Sequence, residues 1–298
     1  MFDHLDDIKQ QKSKSRDKFK DEDELELIAD FEFNNTASNI KVSNDGFYLV
    51  GAGVYPPRIK IFETQEMSVK CERGIDAEVL KLSILSDDYT KIAMLLHDRY
   101  IELHAQYGRH FRIRVPKVGR DMVYLPPTCD LVTVGASNEI YRLNLEQGRF
   151  LAPLESDSEE INSVVYNNKL HCLATGGIDG VVEMWSMDDR QKLVEIPVKD
   201  HKAFQNYDMS EITSLAFSDD GMYLAIGNEV GKVRLFDIRY PVPIFEKQHQ
   251  YRLPIMNIKF HETSRTVLSQ DNKIIKIFER DTGNLYTNLQ PKKEINDF

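Results

Sequence analysis

A short alternating segment recurs along this chain at nearly constant spacing, and that period constrains the fold more than any other feature. Its six copies are Arg58-Ile-Lys-Ile-Phe62, Tyr100-Ile-Glu-Leu-His104, Ile140-Tyr-Arg-Leu-Asn144, Val181-Val-Glu-Met-Trp185, Lys232-Val-Arg-Leu-Phe236 and Ile274-Ile-Lys-Ile-Phe278. Aligned on their final residues, they recur at intervals of about 40 to 42 residues, with one interval of about 51. Each copy alternates as a half-buried strand does, and the intervals suit one four-stranded β-propeller blade per copy.

The residues around each copy complete a blade. Ser43-Asn-Asp-Gly46, Ser86-Asp-Asp88 and Ser218-Asp-Asp-Gly221 follow apolar-alternating stretches and predict a first hairpin, because short polar side chains cap turn backbone. Gly51-Ala-Gly53, Gly135-Ala-Ser137, Gly176-Gly-Ile-Asp-Gly180 and Gly227-Asn-Glu-Val-Gly231 predict a corner before the aligned strand, with glycine supplying positive φ. Asn144-Leu-Glu-Gln-Gly148 and Arg280-Asp-Thr-Gly-Asn284 then turn the chain into an outer strand.

The expected fold is all-β, with six visible blades over residues 25–298 and a charged, flexible lead-in over residues 1–24. The wide interval puts an insertion at about Lys199 to Ser210, and the last outer strand falls near Leu285 to Leu289. Glu294-Ile-Asn-Asp-Phe298 resembles the opening strand of one more repeat. A closed six-bladed ring and a seven-bladed ring cut short are both compatible with this ending; the second is favoured and predicts an open wedge, since propellers close by pairing their terminal strands.

Composition narrows the function. At 298 residues and 41% hydrophobic content the chain can bury a sizeable core. It has no uninterrupted apolar run of about 18 residues, so no membrane helix is expected. Met1 to Lys20 lacks the apolar stretch of a secretory signal, which points to a soluble intracellular protein. Cys71, Cys129 and Cys172 are widely spaced and predict buried apolar residues in strands, not a disulfide framework or a zinc site. A net charge of −10 argues against a surface that grips nucleic acid all over, while leaving room for a local basic patch.

The aligned strands resemble those of the WD-repeat family, in a degenerate form. Met184-Trp185-Ser186 keeps the family's tryptophan and Phe236-Asp237 its aspartate, while its Gly-His dipeptide is missing. A closer resemblance is to the nucleolar protein ten (essential nuclear protein two) family of small-subunit ribosome biogenesis. Glu139-Ile-Tyr-Arg-Leu-Asn-Leu-Glu-Gln-Gly-Arg149 carries it most specifically, supported by Ile40-Lys-Val-Ser-Asn-Asp-Gly46, His97-Asp-Arg-Tyr-Ile-Glu102 and His249-Gln-Tyr-Arg-Leu-Pro-Ile255. That resemblance implies a non-catalytic scaffold in the nucleolus, within the particle that processes small-subunit precursor rRNA. Its partners would be other ribosome-assembly proteins and the pre-rRNA-containing particle, with no membrane and no small-molecule substrate.

Candidate sites are few. No nucleophile with a base, paired carboxylates or metal cluster stands at recognisable spacing, so no catalytic residue, cofactor or metal is expected. His97, His104 and His171 read as structural histidines, Asp87-Asp88 and Asp219-Asp220 as turn residues, and Gly176 to Gly180 lacks the Lys-Ser/Thr of a phosphate loop. Arg109, Arg112, Arg114, Lys117 and Arg120 are dense cations in an acidic chain and form the candidate contact for RNA or an acidic partner, a solvated outer strand being the plainer alternative. Lys9, Lys12, Lys14, Arg16, Lys18 and Lys20 form a second basic stretch. Ser156 and Ser158, in Ser156-Asp-Ser-Glu-Glu160, are candidate phosphorylation sites for an acidophilic kinase. Phe236-Asp-Ile-Arg239 is similar to the Trp-Asp-x-Arg motif of cullin-ligase substrate receptors, the competing functional reading.

Overall fold

The computed structural model describes residues 31–198, 210–240 and 242–298, and residues 33–298 form one compact unit. Its described residues hold six antiparallel sheets and no helix. Sheet 1 comprises β1 (Ala37–Val42), β2 (Tyr48–Gly53), β3 (Arg58–Glu63) and β4 (Ser68–Gly74), and sheet 2 comprises β5 (Val79–Ile84), β6 (Ile92–Leu96), β7 (Tyr100–Ala105) and β8 (Gly108–Arg114). Sheet 3 contains β9 (Gly119–Leu125), β10 (Asp130–Gly135), β11 (Ser137–Asn144) and two short outer pieces, β12 (Arg149–Phe150) and β13 (Leu154–Glu155). Sheet 4 is β14 (Ile161–Asn167), β15 (Cys172–Gly177), β16 (Val181–Ser186) and β17 (Gln191–Pro197). Sheet 5 is β18 (Ile212–Phe217), β19 (Tyr223–Asn228), β20 (Lys232–Asp237) and β21 (Pro243–Gln248). Sheet 6 is β22 (Asn257–His261), β23 (Thr266–Gln270), β24 (Ile275–Glu279) and β25 (Leu285–Leu289). Strands pair in sequence order within each sheet, which makes six blades of a propeller.

The six sequence copies coincide with the third strands. In five sheets a bulge interrupts the pairing of third and fourth strands just before the aligned residue, between Ile61 and Phe62, Leu103 and His104, Met184 and Trp185, Leu235 and Phe236, and Ile277 and Phe278. A bulge adds twist and re-aims the residue that follows. Sheet 3 breaks its outer strand instead: Pro153 has no N–H to donate, and the Arg142 guanidinium donates to the Ala152 carbonyl there, Nη2 at 2.9 Å.

The core lies between sheets. Five apolar clusters each join two successive sheets, such as Val50, Ile59 and Ile61 with Val79, Leu82 and Met94, or Val132 and Ile140 with Ile161 and Trp185. Of the corner glycines expected to have positive φ, only Gly180 and Gly231 do. The other corner glycines stand where a neighbouring chain segment comes too close for a side chain. At Gly135 a Cβ would lie 2.0 Å from the carbonyl oxygen of Val118, just before the paired strand β9 of the same sheet, and at Gly176 2.5 Å from Ile212 Cγ2 of the next sheet. Cys71 and Cys172 lie in strands, whereas Cys129 occupies a turn with φ of 53°; all three thiols are free.

Sheets 6 and 1 meet differently from the other neighbours. No apolar cluster among the described residues spans them, and every residue of β25 is exposed. Phe62, buried like its counterparts, meets Phe33 edge-on at 6.1 Å in place of a neighbouring sheet, and Gly51 and Gly53 make room for that ring. The chain end then ties the two inner strands together. Asp297 accepts from the Ile40 amide of β1 (2.8 Å) and from Asn257 Nδ2 of β22 (2.7 Å), and the Ile295 amide donates to the Asn272 carbonyl (3.0 Å). The lead-in at 1–24, with its basic stretch, and residues 199–209 of the expected insertion lie outside the described residues.

Candidate functional site

The basic patch predicted from sequence is divided by its own acids. Arg109, Arg112 and Arg114 stand on β8, Lys117 on the loop beyond it and Arg120 on β9, all exposed. Asp76 accepts from Arg109 Nη1 (2.8 Å) and Arg112 Nη1 (3.1 Å), and Asp98 meets Arg112 Nη2 at 2.5 Å. Both arginines also lean on Glu102 of β7, at 3.4 and 3.5 Å. That carboxylate is 1% exposed and would otherwise be a buried charge with only His104 beside it at 3.3 Å. Arg112 stacks over the Tyr100 ring at 4.1 Å, and Arg120 pairs with Glu160 at 2.5 Å. Arg114 and Lys117 alone in the set have no ion-pair partner among the described residues.

The serines are a correction. In place of an exposed loop, Ser156 and Ser158 are 6% and 3% exposed. Ser156 Oγ donates to Glu183 at 2.5 Å, and Ser158 Oγ lies 2.9 Å from both oxygens of Asp179. Neither hydroxyl is open to a kinase in this fold, and a phosphate placed there would face a carboxylate. Asp157, Glu183 and Glu195 bring ligand oxygens within 4.8 Å of one another, but Lys192 sits among them, bonded to Asp157 and Glu195 and 3.6 Å from Glu183. Hydrogen bonds donated to Asp157 and then to Glu195 hold that ammonium above its ordinary range, so the acidic cluster already has its cation.

A buried polar device that the sequence did not disclose recurs in three blades. His249, before β22, places Nδ1 2.9 Å from Asp271 and Nε2 2.7 Å from Ser269. Since a carboxylate only accepts, Nδ1–H donates to Asp271 and the Ser269 hydroxyl donates to Nε2. Burial pushes the His249 pKa below its ordinary value, which favours the neutral ring that this pattern of donors requires. Asp271 also accepts the Lys273 and Ile274 amides, both at 2.7 Å, fixing the turn before β24. Sheet 4 repeats the arrangement with Ser158 and Asp179, and sheet 5 with Ser210 donor-bonded by Asn228 Nδ2 at 2.8 Å. In each case the loop entering a blade is fastened to that blade's second turn. The Ser-His-Asp geometry of sheet 6 is that of a hydrolase triad, yet Ser269 and Asp271 are fully buried, so no substrate reaches the hydroxyl.

Of the three histidines singled out in the sequence, His104 is buried on β7 and His171 meets the Tyr166 hydroxyl at 3.0 Å, while His97 lies in an exposed turn. Asp88 caps its own turn through the Thr90 amide at 3.0 Å. Arg239 folds back on Asp237, Nη2 to Oδ2 at 2.7 Å, so the charge that a Trp-Asp-x-Arg motif would offer is engaged within the motif.

The inner strands line an open cavity of about 360 Å³ that the sequence reading did not single out. Lys41 of β1, Lys81 of β5 and Lys259 of β22 line it beside Leu82, Val164 and Phe217. Asp121 lies 3.6 Å from Lys81, but its oxygens already accept the Met122 and Val164 amides at 2.8 and 3.0 Å.

Kinship agrees with this architecture. A family model described as the Nucleolar protein 10-like, N-terminal domain matches residues 3–298. Nucleolar protein 10 of Xenopus tropicalis is 44% identical over 92% of this chain and 40% of its own length; that of Homo sapiens is 43% identical over the same shares. Ribosome biogenesis protein ENP2 of Saccharomyces cerevisiae is 35% identical over 97% of this chain and 41% of its own length. The chain therefore spans 40 to 41% of the length of these relatives. With a six-bladed array whose aligned strands, turns and interblade glycines run through nearly all of the matched residues, the chain belongs to the Nucleolar protein 10-like N-terminal β-propeller family.

Proposed function

We propose that this propeller is a non-catalytic scaffold of the nucleolar small-subunit processome, supporting pre-rRNA processing and 40S ribosome biogenesis. The observation that carries the reading is kinship with proteins named for the nucleolus and for ribosome biogenesis. The protein acts in the nucleolus. Its rigid blades present loops and outer strands to several partners at once, as assembly of a large particle requires. The partners are other ribosome-assembly proteins and the pre-rRNA-containing particle. Arg114 and Lys117, free of ion pairs among the described residues, are the cations of the patch best able to meet a phosphate backbone.

Purifying the tagged full-length protein from cells, with and without RNase, tests the role. Precursor small-subunit rRNA and nucleolar assembly factors should co-purify, and partners retained after RNase are held by protein contacts. Recovery of a cullin adaptor without precursor rRNA would overturn the reading in favour of a ubiquitin-ligase receptor.

A further inference from the structure

The cations of the central cavity have less counter-charge than their surroundings suggest. Three lysines converge there in a chain of net charge −10. Asp219 also lines the cavity, and two further carboxylates beside the lysines, Asp121 and Asp297, accept hydrogen bonds elsewhere. Asp121 accepts two backbone amides, and its contact with Lys81 is long at 3.6 Å. Asp297 accepts from Ile40 N, Asn257 Nδ2 and Phe298 N at 2.7 to 2.8 Å. Neither Lys41 nor Lys259 has an ion-pair partner among the described residues. The Lys259 ammonium is held 4.6 Å from the Phe298 ring centroid. Burial lowers its pKa; Asp297 opposes the shift, while the charges of Lys41 and Lys81 add to it.

We propose that Lys41, Lys81 and Lys259 form a receptor for one acidic side chain of an extended partner peptide entering the central cavity. A carboxylate seated between the three ammonium groups would gain charge-assisted hydrogen bonds and relieve their mutual repulsion. The apolar neighbours Leu82, Val164 and Phe217 suit the flanking residues of such a peptide, and the volume is at the small end of the range for ligand sites. Asp121 and Asp219 line the same cavity and would repel a polyanion, which favours a singly charged peptide side chain over an RNA strand. The inference stands independently of the ribosome-assembly role.

Backbone amide NMR of the chain, titrated with acetyl-Val-Glu-Val-amide, with its glutamine counterpart and with hexauridylate, decides it. The glutamate peptide should give saturable shifts at the amides of Lys41, Lys81 and Lys259, at least about tenfold tighter than the glutamine peptide, the size of effect expected of one charge-assisted contact. The Lys41→Gln/Lys259→Gln variant should keep its spectrum and lose this preference, and Lys41→Arg/Lys259→Arg should retain it. Equal responses to the two peptides, or no response to either, would overturn the proposal whether or not the variants fold. Tighter binding of hexauridylate at the same amides would also overturn it, assigning the lysines to nucleic acid.

Discussion

His249 and Asp271 stand 22 residues apart in sequence and 2.9 Å apart in space, and the bond between them fastens the loop entering sheet 6 to the turn that starts its third strand. Both are buried, so water cannot replace a lost partner. His249→Ala should lower stability by about 2–4 kcal/mol, combining a cavity with an unpaired buried carboxylate. Urea unfolding measures it, and a loss under about 1 kcal/mol would mean that the Asp271 bonds to the Lys273 and Ile274 amides suffice.

The same burial makes stability depend on pH in a stated direction. His249 and His104 both have pKa values lowered by burial from the ordinary 6.5, so below that value the unfolded chain binds more protons than the folded one. Their contribution is complete above pH 6.5 and falls as the pH drops below it. Unfolding free energy measured between pH 7.5 and 5 should decline, at about 1.4 kcal/mol per pH unit for each histidine at most, and His249→Gln should flatten the slope.

Gly135 and Gly74 separate close approach from backbone freedom, since neither has positive φ. A methyl group on Gly135 would meet the Val118 carbonyl oxygen at 2.0 Å, whereas one on Gly74 meets nothing within 4 Å. Gly135→Ala should destabilise by at least about 2 kcal/mol and Gly74→Ala should be neutral or slightly stabilising. Thermal unfolding of the pair is the comparison, and equal effects would contradict the close approach of the Val118 carbonyl to β10.

The arginines of the outer strand should behave as structural groups. Arg109→Ala removes one of the two guanidinium partners of buried Glu102 and should lower the unfolding midpoint. Arg114→Gln/Lys117→Gln should leave the unfolding midpoint unchanged. If the patch contacts RNA, the double variant should reduce the salt dependence of RNA binding by nearly two phosphate contacts, read from the slope of log K against log salt.

Asp297 should be the clasp between the first and sixth sheets. Asp297→Ala removes the acceptor of the Ile40 amide, so exchange of that amide should accelerate by at least about tenfold, while amides at the other sheet interfaces keep their protection. Uniform acceleration throughout would instead indicate global loss of stability.

What sequence alone determined here is what local periodicity encodes. Alternation along five residues declares a strand, and Ser-x-Asp-Gly runs declare hairpins; thus the third strands and the outer strand at Leu285 to Leu289 stand where the pattern puts them. Family membership was legible in Glu139 to Arg149 for the same reason, since a strand and its turn are contiguous in the chain. Contacts between blades were not. Gly176 suggested turn dihedrals because a glycine in sequence does not reveal that Ile212 of the next sheet presses against it. Ser156 and Ser158 suggested kinase sites because Glu183 and Asp179, their hydrogen-bond partners, belong to a strand and a turn more than twenty residues away. Arg109 and Arg112 suggested a free basic face because Asp76, on the connection that enters their sheet, is more than thirty residues away in sequence. Lys41, Lys81 and Lys259 are unremarkable in their own strands and become a site only because the ring turns three inner strands toward one axis. Side-chain partners, burial and charge balance depend on which blades are neighbours, and that is decided by tertiary packing.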